Sequence, residues 1–131
     1  MASAFTSSAS RIALLASAAG ALLHLYTAAF KATGGLSLFL AGLVLLSCLP
    51  YAIATSLASR PRTSVLGLGA ALACLVVDVC IHYAIFVAPK SSTAAVGLVV
   101  TPLLNLLVAG PLGALVFWLG ARLVGTAKSA P

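Results

Sequence analysis

The chain carries one acidic residue and two histidines in 131 residues, of which 63% are hydrophobic and 6% charged. The acid is Asp78, and it interrupts an otherwise uncharged run from Ser64 to Pro89. An ionised aspartate at the centre of a membrane helix costs about 2.5–3.5 kcal/mol on insertion scales, so such residues are buried and partnered. His82 lies four residues further on, one turn along the same helical face. A neutral Asp78 donating a hydrogen bond, or an Asp78–His82 ion pair, would satisfy both groups.

Three kinds of chemistry fit these residue types. A buried polar cluster can fasten helices or hold a partner subunit, because hydrogen bonds inside membranes specify packing more than they add stability. His24 and His82, at equal depth on separate inward-facing helices, could supply both axial imidazoles of a b-type haem. Gly20, Ala28 and Cys74 would then make room for the macrocycle. Asp78 would contact a propionate or orient a ligand through its second ring nitrogen. A quinone needs the same polar layer near one surface, with Tyr26 or Tyr83 offering a hydroxyl. Finally, an Asp–His pair can carry protons or coordinate a cation, since its protonation responds to its surroundings. Pro50, Pro102 and Pro111 could free carbonyls beside such a pathway, although four short helices would need to form a homo-oligomer to enclose one.

Enzymatic chemistry has less to stand on. There is no glutamate, no Cys-x-x-Cys, no glycine-rich phosphate loop and no histidine-rich metal motif. Cys48, Cys74 and Cys80 all fall within apolar runs, where a small apolar packing role suits them better than a disulfide framework. Ser91 and Ser92 sit near the surface of His24 and His82 but lack a nucleophile-elbow motif. No catalytic residue is assigned, and the metal question stays open.

The elements that must position these residues follow from composition. Soluble domains carry about 25% charged residues, so a soluble globule is excluded, and disorder is excluded by the apolar content. Charges divide the chain into four uncharged or nearly uncharged stretches, each long enough to cross a core of about 30 Å at about 1.5 Å per residue. The expected architecture is an all-α integral membrane bundle of four transmembrane helices, at about 12–30, 36–58, 64–89 and 101–122, in one membrane domain spanning 1–131. The first is read as a helix and not a signal peptide, because its apolar run exceeds the 7–15 residues or so of a signal h-region. Thr101-Pro102 reads as an N-cap followed by a first-turn proline, which leaves 91–100 as an outer-interface or re-entrant segment. The alternative is one long tilted helix kinked at Pro102 and Pro111.

Orientation follows from lysine and arginine. Arg11, Arg60, Arg62, Arg122 and Lys128 share one side, against Lys31 and Lys90 on the other, which places both termini in the cytoplasm. The net charge of +6 is thereby topological, and seven scattered basic residues do not make a nucleic-acid face. Trp118, Phe117 and Tyr51 fall toward the cytoplasmic side as interfacial anchors. The richness in Ala, Leu and Gly points to a GC-rich bacterial genome, and so to an inner membrane.

Small-residue stripes mark the inward faces, because close approach drives helix association in lipid. They are Ala16, Gly20, His24 and Ala28; Ser37, Ala41, Cys48 and Ala52; Gly67, Ala71, Cys74, Asp78 and His82; and Thr101, Asn105, Ala109 and Gly113. On these faces His24, Asp78, His82 and Asn105 form one polar layer, with both histidines about 9 Å below the outer boundary. With short loops and tails, the expected partners are the lipid bilayer and either other membrane subunits or further copies of the chain. An accessory or structural subunit, or a homo-oligomer, is the leading functional expectation. A haem- or quinone-binding anchor using His24 and His82, and a small proton- or cation-coupled transporter using Asp78, are the alternatives.

Overall fold

A computed structural model describes residues 2–31, 37–88 and 96–127, with side chains between residues 8 and 124. The described residues form α1 (Ala2–Phe30), α2 (Leu38–Ala58), α3 (Ser64–Phe86), α4 (Val96–Leu104), a π-helical turn (Asn105–Ala109) and α5 (Gly110–Ala127). Four helical stretches are long and apolar enough to cross a membrane: Ser8–Phe30, Leu38–Ala58, Ser64–Phe86 and Val96–Val124. The all-helical fold and the four apolar spans agree with expectation.

Boundaries follow local chemistry. Ser37 caps α2, its hydroxyl accepting from the Leu40 amide at 3.1 Å, so it terminates the helix instead of lining its inner face. The link from α2 to α3 is tight: the Thr63 hydroxyl donates to the Leu57 carbonyl at 2.7 Å and the Thr63 amide to the Arg60 carbonyl at 3.0 Å. The first of these occupies a carbonyl in the last turn of α2, and the second closes the turn that follows it.

The fourth span corrects one expectation. Val96–Val100 are helical and Pro102 lies within α4, so the helix does not begin at Thr101-Pro102. Residues 91–95, with Ser91 and Ser92, lie outside the described residues. The departure from regular helix comes later, where Pro111 cannot donate to the carbonyl four residues back and its ring crowds that turn. The chain widens into the π turn, and the Gly110 amide reaches the Asn105 carbonyl five residues back. The turn also shifts the inward face by one residue: after Asn105 the buried position is Gly110, five residues on, and Ala109 of the expected stripe is only half-buried.

α3 is the central helix and packs against every other span. Its contacts are backbone-close because glycines meet there. A Cβ on Gly67 would strike the backbone of Ala54 and Ala58 on α2, and one on Gly69 would strike the Gly113 carbonyl on α5. Leucines and valines point outward, including Leu15, Leu38, Leu45, Leu107 and Leu123. Such faces suit a lipid solvent, in which burying a leucine gains little.

The glycine contacts set a test. Gly69→Val should destabilise the bundle by about 1–3 kcal/mol through overpacking. Gly120→Ala, with nothing within 4 Å of the added carbon, should leave thermal unfolding in detergent unchanged. Equal melting of the two variants would overturn the close-packing account.

Candidate functional site

Asp78 is fully buried, and its carboxylate gathers one side chain from each of the other spans. From α1, His24 places Nε2 2.9 Å from Oδ2. From α2, the Tyr51 hydroxyl donates to Oδ2 at 2.5 Å. From the π turn, Asn105 Nδ2 donates to Oδ1 at 2.8 Å. Of the sequence-derived polar layer, His24, Asp78 and Asn105 meet directly.

His82 belongs to the layer by another route. Its Nδ1–H donates to the backbone carbonyl of Asp78 at 2.7 Å, one helical turn away, so the carboxylate partner expected at i+4 is replaced by His24 from α1. The side chain of residue i+4 leans back toward the turn before it, which brings the His82 ring to the main chain. Its Nε2 lies 3.0 Å from the Thr27 hydroxyl, which is also 2.9 Å from the Leu23 carbonyl. One hydroxyl proton thus serves two acceptors when His82 is neutral. The two imidazoles stand edge to face, with centroids 5.4 Å apart. Axial ligands face one another across a macrocycle; here the rings touch and both Nε2 atoms have protein partners.

Tyr51 is the residue that sequence reasoning misplaced. It is 2% exposed and sits at the centre of the site, not at an interface. The inner face of α2 is Ser47, Pro50, Tyr51, Ala54 and Ala58, whereas Ala41 and Ala52 are exposed and Cys48 is only partly buried. Depth was the available signal: Tyr51 precedes the end of the span at Ala58 by seven residues, about 10 Å, too deep for a headgroup anchor. Its ring crosses the bundle over Gly20, where any Cβ would collide with the ring carbons and hydroxyl.

The remaining polar atoms are held less completely. Asn105 Oδ1 and Ser17 Oγ are buried without a hydrogen-bond partner among the described residues. The Asn105 carbonyl accepts from the Gly110 amide and, at 3.7 Å, from the Cys74 thiol. Cys48, Cys74 and Cys80 are all free thiols, and Cys80 is exposed. Tyr26 and Tyr83 are exposed on the outer surface and away from the network. Among the described residues, no three His, Cys or Asp side chains gather as a metal would require. Near the other end, the Arg122 guanidinium lies 4.0 Å from the Trp118 ring centroid.

The arrangement fastens four spans at one point, through three side chains that converge on one carboxylate. Removing single groups should separate their contributions. Tyr51→Phe deletes one donor and should cost about 0.6–1.7 kcal/mol, the range of membrane hydrogen bonds. Asp78→Leu strands three buried partners and should cost at least about 3 kcal/mol. Denaturant unfolding in mixed micelles would read both, and a smaller loss for Asp78→Leu than for Tyr51→Phe would show that the carboxylate does not organise the bundle.

No protein-family model matches the chain, and neither does any curated protein or any solved structure.

Proposed function

We propose that the chain acts within the bilayer as a structural unit, an accessory subunit of a membrane assembly or a self-associating bundle, and that it docks through the outer face of α2. The observation that carries this reading is the side to which the small residues of α2 turn. Ala41, Ala52 and Ser56 are exposed, Cys48 is half-buried, and a Cβ added to the neighbouring Gly42 would meet nothing within 4 Å among the described residues. Residues 41, 45, 48, 52 and 56 follow steps of four and three, so they form one face, broken only by Leu45. Helices associate in lipid by close approach over small side chains. The inner face of α2 already meets the bundle, which leaves this stripe for a second chain.

The saturation of Asp78 supports the same reading. Its carboxylate is matched by three donors from the chain, which is what a fastener requires. A haem between His24 and His82 would need the two rings to separate and both Nε2 atoms to exchange partners. Transport through Asp78 would need the network to open. Docking through α2 asks for neither change, and it assigns no enzymatic step. The distribution of arginine and lysine supports an inner-membrane placement with both termini inside.

Two measurements test this. The mass of the detergent-solubilised protein by light scattering should correspond to more than one chain or to a complex with a discrete membrane subunit. Ala52→Trp should reduce it to a single chain without lowering the melting temperature, because Ala52 is exposed. A solitary wild-type chain, or association unaffected by Ala52→Trp, would refute docking through this face. For orientation, a reporter fused after Pro131 should be active only if cytoplasmic; activity of a periplasmic reporter there would reverse the assignment.

A further inference from the structure

Above the network lies a cavity of about 200 Å³, bordered by α1, α2, α3 and Leu98 of α4. Its walls are apolar, with Leu43, Val44, Ile85 and Phe86 among them, but His24 and Ser47 also line it. Both are deeply buried, Ser47 at 3% exposure and His24 at 7%. The Ser47 hydroxyl has no hydrogen-bond partner among the described residues. His24 commits Nε2 to Asp78 and has no partner at Nδ1 among the described residues. The Ser47 hydroxyl and His24 Nδ1 thus offer two polar groups to an otherwise apolar cavity, the pattern of a small-molecule site in which a few polar groups orient the ligand. Lys31, just past the end of α1, lines the same cavity, and its ammonium is 5.8 Å from the Phe86 ring centroid.

The geometry points to this cavity as a binding site for the head group of a lipid-soluble quinol, with the apolar tail leaving toward lipid. Position selects the ligand class. A fatty acid or phospholipid keeps its charge at the interface beside Lys31, and its tail would face Ser47 and His24 with nothing to offer them. A quinol head is uncharged, is the size of one ring, and bears hydroxyls that both donate and accept. When the proton lies on Nε2 toward Asp78, Nδ1 of a neutral His24 is an acceptor for one quinol hydroxyl. The Ser47 hydroxyl donates to or accepts from the same ring. The volume is below the 300–1,000 Å³ or so of sites for drug-sized ligands, which suits a single head group. His24 thereby connects the ligand to Asp78 through its two ring nitrogens. This site lies inside the bundle and is independent of docking through the outer face of α2.

The test uses the full chain in lipid nanodiscs and the reduced, quinol form of a photoreactive azidoquinone with a decyl tail, mapped by mass spectrometry. Labelling should concentrate on the segments that line the cavity, residues 24–31 and 40–47, and excess decyl quinol should suppress it. Val44→Phe fills the cavity and should abolish the suppressible labelling. Ser47→Ala keeps the volume and should weaken suppression about tenfold, the effect of one lost hydrogen bond. Circular dichroism melts of both variants establish that the bundle is intact, and either variant that is intact suffices. Labelling spread over lipid-facing side chains, labelling unchanged in Val44→Phe, or suppression by oleate as strong as by quinol would each overturn the assignment.

Discussion

A carboxylate within a membrane-spanning helix must find its hydrogen bonds inside the protein, since lipid offers none. Asp78 does so by drawing a partner from each of the other spans, and the arrangement of the bundle answers to that demand. His24 approaches from α1, Tyr51 from α2 and Asn105 from the π turn of the fourth span. Each partner needs its helix at a particular height and rotation. Three such requirements on one residue leave little freedom in how four otherwise slippery apolar helices pack. The network therefore selects an arrangement, even though each bond adds only about 0.6 kcal/mol on average.

The network can form only because backbones come close. Gly20 lets the Tyr51 ring cross α1, and the meeting of Gly69 with Gly113 brings α5 onto α3. At Gly110 a Cβ would stand 2.9 Å from the Asn105 carbonyl, so a larger residue would push against the turn that delivers Asn105. Pro111 forces that turn and glycine makes it fit. Small residues and polar residues thus act together: the first set the distance and the second set the rotation.

The two histidines illustrate how position overrides type. Both are buried at similar depth, and their rings are in contact. His82 faces a backbone carbonyl and the Thr27 hydroxyl, so both of its nitrogens are engaged. His24 faces the carboxylate with one nitrogen and also lines a cavity beside the network, which His82 does not.

Much of this was legible in the residues themselves. Sixty-three per cent hydrophobic content, with every basic residue at the end of an apolar run, pointed to helices long enough to span a membrane. A lone acid within a span had to be buried and paired, and three-and-four spacing on α3 put Gly67, Ala71, Cys74, Asp78 and His82 on one inward face. The choice of partner was not legible, because a carboxylate is satisfied by any donor within reach, and sequence spacing reports only neighbours on the same helix. His82 was near in sequence, yet its ring falls on the backbone; His24 and Tyr51 are 54 and 27 residues away. The rotation of α2 was equally hidden, because alanine and serine occur on both of its faces and the hydrophobic pattern favours neither. Tertiary packing decided it, by turning Tyr51 toward the one group that needed its hydroxyl and leaving the other small-residue stripe to the outside.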